Sequence, residues 1–393
     1  MKKFLRIAST LLFVLLCSVV PQHLVQAAWQ PTLRVGLLTG QSSVVLTAVG
    51  VSADLVSNQQ SRPVKNIAAG QSLTINCDNA SFVLGERHIP GETLTLRAAN
   101  AKQADMASIR VNGRPYRGEV ELRLTPRGLT VVNIVRTEDY VRSVTAEEMP
   151  PSWPAPALEA QAVAARTFAL AHRGRHRSAG FDLCTTTHCQ SYHGIRSEQA
   201  SSNQAVQATY GQVLTYQGKL IEALFHTDSG GMTENSEDVW GTKIPYLRAA
   251  TEVERFTQPW QKTLPAVELV QKFHHKGDIG ELKIIRLSPL QMGQASADRT
   301  VSGRVKSVQL VGKKGTVRVT GEELRNVLGL RSTLLEMKLN GGTVQIHGYG
   351  WGHGLGLSQY GAKAWAKQLD YQGILKHYYQ GAVLKQLYQL ASR

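Results

Sequence analysis

Two adjacent carboxylates stand directly before a proline-rich turn. Glu147 and Glu148 precede Met149 and Pro150, and Trp153 lies in the same turn. The residue before a proline is pushed away from helical backbone, so this segment is constrained. If Met149 and Trp153 exclude water, desolvation raises the pKa of a carboxyl group here and lets it donate a proton near neutral pH. The alternative is a pair of solvated glutamates in a loop.

A second group combines thiols with an imidazole inside six residues: Cys184, His188 and Cys189. Thiolate and imidazole ligands this close together are typical of zinc. The fourth ligand would be water or another histidine, and the candidates are His193, His226 and His353. Two other interpretations stay open, namely a Cys184–Cys189 disulfide or free thiols, and a Cys–His nucleophilic pair.

The segment 225–241 is polar and contains His226, Ser229 and the paired glycines Gly230 and Gly231. Glycines of this kind let backbone amides face a ligand. An aromatic side chain beside carboxylates would suit the face and the hydroxyl groups of a sugar. An ordinary turn-rich loop has the same composition.

The segment 348–362 begins with five glycines that alternate with larger residues, including Trp351 and His353. It lacks the Lys-Ser/Thr pair of a phosphate-binding P-loop. Its aromatic residues favour a carbohydrate or peptide cleft over a nucleotide site, although a plain flexible loop would also fit.

The element expected to position the acid begins just after the proline turn. Residues 157–173 are rich in alanine and contain neither Gly nor Pro, and Pro156 suits the first turn of a helix. Its small side chains allow very close packing, so we expect a buried helix. Gln161 and Arg166 are its polar exceptions.

The fold class predicted is α+β. Short strand patterns separated by turn residues make residues 28–104 a β-rich N-terminal region. After this region helices and strands mix, with a mixed α/β insertion at about 258–345. The clearest strand alternates Val120, Leu122 and Leu124 with charged residues, which predicts one buried face.

Charge and the N-terminus narrow the function classes. The 393 residues carry a formal net charge of +15, with 42% hydrophobic and 19% charged residues, so the chain is globular and favours anionic partners. Three cations precede an apolar stretch, which predicts a signal peptide cleaved after about Ala27; an uncleaved membrane anchor is the alternative. Export would make nucleic acid a poor partner and would favour an anionic envelope polymer.

Several ordered motifs together resemble the SpoIID/LytB family of bacterial cell-wall proteins. The strings that carry the resemblance run from about residue 105 to 385; they are Glu138-Asp139-Tyr140-Val141, Glu148-Met149-Pro150, residues 158–167, residues 184–190, residues 233–241, Ser302-Gly303-Arg304-Val305, residues 328–332 and residues 350–362.

The resemblance implies a lytic transglycosylase. Such an enzyme cuts peptidoglycan glycan strands between N-acetylmuramic acid and N-acetylglucosamine, prefers strands stripped of stem peptides, and leaves a 1,6-anhydro end. The resemblance assigns the catalytic acid and base to Glu148, and it implies structural zinc near Cys184, His188 and Cys189. The residues expected to grip the saccharide or its lactyl carboxylate are Gln161, Arg166, His226, Ser229, Trp351 and His353.

Two alternatives remain. The other branch of the family consists of amidase enhancers, so the chain could bind the wall without chemistry of its own and stimulate an N-acetylmuramoyl-L-alanine amidase. A zinc-dependent hydrolase of the peptide link is the third hypothesis, and it requires an open metal position.

Overall fold

The computed structural model describes residues 30–60, 62–78 and 81–388. The predicted signal peptide lies outside these residues. Within them the α+β class is confirmed, since strands dominate the N-terminal third and helices and strands mix thereafter. Across the described ranges, no helix has the length and apolar character needed to cross a membrane.

The N-terminal third consists of two sheets that share one hydrophobic core. The strands are β1 Thr32–Gln41, β2 Ser43–Val49, β3 Ala53–Ser57, β4 Lys65–Ile67, β5 Ser72–Cys77, β6 Phe82–Leu84, β7 Arg87–Ile89, β8 Thr93–Ala98, β9 Ser108–Val111, β10 Arg114–Arg117, β11 Glu119–Thr125, β12 Gly128–Arg136 and the later β13 Leu183–Cys184. One sheet has the order β13-β1-β12-β11-β8-β3-β4 and the other β10-β9-β2-β5-β6-β7.

The alternation predicted for β11 is only half right. Val120 and Leu122 are fully buried, but Glu121, expected on the solvent face, is also buried. Its carboxylate accepts hydrogen bonds from the guanidinium groups of Arg34 and Arg123 at 2.6 and 3.0 Å. A buried carboxylate is tolerated here because these cations pair with it.

A layer of helices and short strands follows: α1 Thr137–Glu148, α2 Ala155–Ala171, α3 Ala200–Ala208, β14 Gln212–Tyr216, β15 Lys219–Leu220, β16 Phe225–His226 and α4 Ser236–Trp240. Helix α2 is the predicted alanine-rich helix and begins two residues earlier than expected, with Pro156 in its first turn. It packs against α1 and α3. Its inner residues are almost all buried, because alanine side chains let neighbouring helices approach closely.

A separate hydrophobic core lies between residues 260 and 346. Its elements are β17 Trp260–Pro265, α5 Ala266–Lys272, β18 Leu282–Arg286, β19 Ser307–Gly312, β20 Thr316–Thr320, α6 Gly321–Leu328, β21 Leu335–Asn340 and β22 Thr343–Gly348. The strands form two three-stranded antiparallel sheets. Helix α6 begins with a capping box between Thr320 and Glu323 and ends at Gly329, whose φ is +61°.

The chain then returns to the helical layer through β23 Leu357–Ser358, α7 Gln359–Trp365, α8 Tyr371–Tyr378 and β24 Val383–Gln386. Strand β24 pairs antiparallel with β14, and β23 pairs parallel with β16. Helices α7 and α8 both pack on α2. The glycine-rich segment is therefore brought back beside the proline turn. The short 3-10 helices are Ala101–Met106, Arg177–Ala179, Gly194–Ser197 and His274–Lys276.

Candidate functional site

Glu148 is the last residue of α1, at the edge of the helical layer. The helix stops there because Met149, which precedes Pro150, takes extended backbone with φ −133° and ψ 131°. The side chain of Met149 is fully buried, and the Trp153 N–H donates to the Pro150 carbonyl at 3.0 Å. The turn is thus anchored on both sides, and Glu148 is held on rigid backbone.

Ser191 and Gln359 orient the half-buried Glu148 carboxyl group. The backbone N–H of Ser191 donates to Oε1 at 2.8 Å, and the side chains of Ser191 and Gln359 also bond this carboxylate. Burial raises the pKa of Glu148 above its usual range and the neighbouring Glu147 adds to the rise, whereas the bonds from Ser191 and Gln359 act against it. Such a carboxyl group holds its proton more readily than a solvated glutamate.

Gln359, at the start of α7, joins this acid to the buried helix beneath it. Its amide nitrogen lies 3.5 Å from Oε1 of Gln161, which is fully buried in α2. The next residue, Tyr360, meets Trp153 edge to face with ring centroids 4.9 Å apart. Residues from the proline turn, α2 and the glycine-rich segment therefore surround one carboxyl group.

The two glycine-containing segments lie side by side because β16 and β23 pair and because Asp228 and Trp351 exchange backbone hydrogen bonds at 2.9 and 2.8 Å. A Cβ at Gly350 would stand 2.8 Å from the Asp228 carbonyl oxygen, and one at Gly352 would stand 2.7 Å from the Cβ of His226. Both glycines have positive φ, at +70° and +115°. The glycines are needed for close packing of the two segments.

His226 and His353 meet behind this contact, with ring centroids 5.3 Å apart. Nδ1 of His226 donates a hydrogen bond to the Leu355 carbonyl, and Nδ1 of His353 accepts one from the Leu355 N–H. Burial lowers the pKa of both imidazoles, that of His353 to about 4, and the guanidinium group of Arg304 lowers both further. Both rings are therefore neutral near pH 7.

Ser229 and Trp351 occupy opposite environments. Ser229 is fully buried and donates from Oγ to Glu252 at 3.0 Å. Trp351 is 47% exposed, and the Arg331 guanidinium lies 4.8 Å from the centre of its ring. Only Trp351 of these two offers a face to a ligand.

Arg166 is placed inside the fold, where a saccharide contact does not fit. Its guanidinium group donates to both oxygens of Glu138 at 2.7 Å and to the Gln212 carbonyl at 3.0 Å. Tyr388 also donates to Glu138, at 2.6 Å. Arg166 is completely buried, so its charge is used to join α1, α2 and the C-terminal strand region.

The Cys/His group gathers four ligand atoms. His176, Cys184, His188 and Cys189 offer nitrogen and sulfur atoms that all lie within 4.8 Å of one another. Sγ of Cys189 is 3.4 Å from Nε2 of His176 and 3.7 Å from Nδ1 of His188, and Sγ of Cys184 is also 3.7 Å from Nδ1 of His188. A tetrahedral ion with Zn–S of about 2.3 Å and Zn–N of about 2.0–2.1 Å requires ligand separations of about 3.3–3.8 Å. The cluster can therefore hold a metal ion.

The fourth ligand was missed by sequence reasoning. The expected candidates were His193, His226 and His353, but His176 completes the cluster and His193 instead lies 3.2 Å from the Glu147 carboxylate. Cys184 and Cys189 are free thiols, so the disulfide interpretation is wrong. A histidine eight residues before Cys184 was the available signal, but that spacing is not diagnostic.

A short loop joins the Cys/His cluster to the acid. Cys184 lies on β13, which pairs parallel with β1. The chain then turns back through Cys189 to Ser191, whose N–H contacts Glu148. Gln190 lies between Cys189 and Ser191, and its side chain accepts a hydrogen bond from the Tyr140 hydroxyl at 3.0 Å. Order in this loop therefore affects the position of the acid.

Comparison with known proteins agrees with these motifs. Residues 125–216 match a family model described as stage II sporulation protein (SpoIID), and residues 248–356 match a domain of unknown function, DUF8618. Over 266 residues the chain is 37% identical to stage II sporulation protein D of Bacillus amyloliquefaciens, covering 64% of this chain and 74% of that protein. The protein of the same name from Bacillus subtilis (strain 168) is 32% identical over 280 residues, covering 65% and 76%.

A third relative carries a different name. The amidase enhancer of Bacillus subtilis (strain 168) is 30% identical over 364 residues, which is 81% of this chain but 50% of that protein. The similarity to the sporulation proteins extends over about three quarters of their length. The chain therefore belongs to the SpoIID/LytB family.

Proposed function

We propose that this protein is an exported lytic transglycosylase that cleaves peptidoglycan glycan strands between N-acetylmuramic acid and N-acetylglucosamine. The observation that carries the proposal is the environment of Glu148. Its carboxyl group is half buried, has a raised pKa, and is fixed by the Ser191 N–H beside an aromatic pair. These are the properties of a general acid.

One carboxyl group suffices for both proton transfers. Protonated Glu148 donates to the glycosidic oxygen while the bond from that oxygen to the anomeric carbon breaks and an oxocarbenium-like centre forms. The resulting carboxylate accepts the proton of the muramic 6-hydroxyl, whose oxygen bonds to the anomeric carbon. The product is a 1,6-anhydro end, and Glu148 regains its proton without a second carboxylate or a water molecule.

The predicted saccharide residues divide into two roles. Trp351 is exposed and can lie against a sugar ring. Gln161, His226 and Ser229 are buried, and Gln161 contacts Gln359, which bonds Glu148. His353 is partly exposed and lines a neighbouring cavity with Glu234 and Arg304.

We propose zinc as the ion of the four-residue cluster and give it a structural role. Two thiolates and two imidazoles fit the preferences of zinc. When bound, the ion would cross-link the loop that carries Ser191. All four tetrahedral positions are taken by side chains, which argues against the third hypothesis, a zinc-dependent hydrolase with an open metal position.

The proposed substrate is the glycan strand of the wall after an amidase has removed its stem peptides. Loss of the signal peptide, with its three cations, would leave a formal charge of +12 from the original +15. That charge would help retain the protein on an anionic wall, an effect that salt weakens.

The test is digestion of amidase-stripped glycan strands by the purified protein, by Glu148→Gln and by the matched control Glu147→Gln. We expect 1,6-anhydro products from the wild type and from Glu147→Gln, with at least a hundredfold loss in Glu148→Gln. Equal cleavage by Glu148→Gln would refute the assignment of the acid.

The similarity to an amidase enhancer supports a second candidate function. In that case the chain binds the wall and stimulates an N-acetylmuramoyl-L-alanine amidase without cleaving glycan. No anhydro products from any variant, together with faster release of stem peptides by an added amidase, would favour this function.

A further inference from the structure

The segment that follows α2, residues 172–180, presents three arginines at alternate positions, and we call it the arginine loop. Arg173, Arg175 and Arg177 are all exposed. Within the described ranges, none of them lies within 4.0 Å of a carboxylate oxygen. The loop therefore carries three guanidinium groups that face solvent.

The carboxylates around the arginine loop are already bonded inside the protein. Glu222 pairs with His172 at 2.9 Å, and Asp182 accepts from the backbone N–H of Gly174 at 2.9 Å. The bond from His172 lowers the pKa of Glu222, and the charge of Arg175 lowers it further. These two carboxylates stand against three guanidinium groups, so the loop keeps a positive charge.

At the edge of the loop, the Arg175 guanidinium meets the outer nitrogen of His188. Nδ1 of His188 lies 3.7 Å from Sγ of both Cys184 and Cys189, so this nitrogen faces the Cys/His cluster. Nε2 is on the outer side of the ring and lies 3.4 Å from Nη2 of Arg175. His188 is exposed, so this contact is open to solvent.

The pair of Arg175 and His188 is suited to an anion. Binding of the proposed ion through Nδ1 leaves the proton of His188 on Nε2, and metal-bound imidazoles usually donate that N–H to an acceptor. A guanidinium group has only donors to offer. Two donors therefore face each other, and an anionic oxygen beside them would accept from both.

The composition of the arginine loop favours phosphate over an apolar partner. Guanidinium groups bind phosphate through two parallel hydrogen bonds, and the loop has three of them and no lysine. Between residues 172 and 189 no large hydrophobic side chain is exposed. A membrane surface or a protein partner needs apolar anchors beside the charges, whereas a phosphodiester chain needs none.

We propose that the arginine loop and His188 form a docking site for a phosphodiester-linked polymer of the cell envelope. One phosphate accepts from Arg175 and from Nε2 of His188, and neighbouring phosphates of the chain pair with Arg173 and Arg177. The proposal goes beyond glycan cleavage and uses only the export part of the proposed function, because export leaves envelope polymers as the accessible phosphodiesters.

The test is a binding titration with poly(glycerol phosphate) chains as the probe. Poly-glutamate chains of equal charge and vesicles of anionic phospholipid are the comparison probes. The loop variant is Arg173→Gln/Arg175→Gln/Arg177→Gln. The matched control removes the same charge from exposed arginines of the N-terminal third, in Arg110→Gln/Arg114→Gln/Arg127→Gln. Zinc content and urea unfolding are measured on the same samples, so that damage to the Cys/His cluster is recognised.

We expect the loop variant to bind poly(glycerol phosphate) at least about tenfold more weakly, and the control variant to change binding less than about twofold. Replacing the same three arginines by lysine keeps the charge but loses the paired hydrogen bonds, so it should restore only part of the affinity. The single variants Arg173→Gln and Arg177→Gln, each with about a threefold loss, give the same comparison should the triple variant not fold.

Equal losses in the loop and control variants would show that net charge alone holds the polymer, and would overturn the proposal. An equal or larger loss on poly-glutamate would assign the loop to an acidic protein surface instead, and a loss confined to vesicles would assign it to a membrane surface. Since no measurement uses cleavage, absence of transglycosylase activity would leave these results unaffected.

Discussion

The buried pair of Arg166 and Glu138 allows a structural role to be separated from substrate binding. In Arg166→Met, Glu138 keeps its bonds from the Gly211 N–H and the Tyr388 hydroxyl but loses both guanidinium bonds. The two side chains are 0% and 3% exposed, so the carboxylate stays in a dry environment. Removing one partner of such a pair lowers the free energy of unfolding by about 3–5 kcal/mol.

The matched control is Arg248→Met. Arg248 also makes two bonds to one carboxylate, that of Glu237, at 2.5 and 2.7 Å. Those side chains are 21% and 35% exposed, so water can replace the lost partner. The expected cost is about 1 kcal/mol or less.

The assay is urea unfolding at pH 7, followed by tryptophan fluorescence. The double variant Glu138→Gln/Arg166→Met should recover part of the loss, because it removes the uncompensated charge. The argument is refuted if Arg166→Met costs no more than Arg248→Met. An unchanged stability together with weaker strand binding would return Arg166 to the saccharide site.

Three other substitutions test the acid Glu148, the Cys/His cluster and the exposed ring of Trp351. Gln359→Met removes a hydrogen bond that favours the charged carboxylate, so the pKa of Glu148 should rise further. Because cleavage needs the protonated acid, the alkaline limb of the pH profile of cleavage should move to higher pH. A move to lower pH would contradict this. Cys189→Ser should abolish stoichiometric zinc in metal analysis and reduce cleavage. Cys77→Ser, which lies outside the cluster, should keep the bound zinc and the cleavage activity. Normal cleavage by a zinc-free protein would show that the loop needs no ion. Trp351→Ala should weaken the binding of glycan strands about tenfold and leave the free energy of unfolding unchanged. Unaltered binding would show that the exposed ring of Trp351 does not contact the strand.

Local pattern was sufficient for several features of the molecule. The alanine-rich run predicted helix α2 because alanine favours helix and the proline suits its first turn. Three of the four ligand residues in the cluster stand within six positions, so their shared chemistry was visible directly. The ordered motifs were sufficient to predict the family.

The remaining features depend on residues that are distant in sequence. His176 was missed as a ligand because only the fold of the loop brings it to Cys189. Arg166 was expected to face a sugar, since a lone cation on a helix gives no sign of a buried partner 28 positions away.

The sequence by itself determined the helix, the proline turn and the types of chemistry present, because each depends on neighbouring residues. Only the tertiary structure decided which charges are used internally, which histidine completes the Cys/His cluster and which side chains bond Glu148. Burial and pairing depend on distances between segments that are not neighbours in the sequence, and short-range patterns carry no measure of those distances.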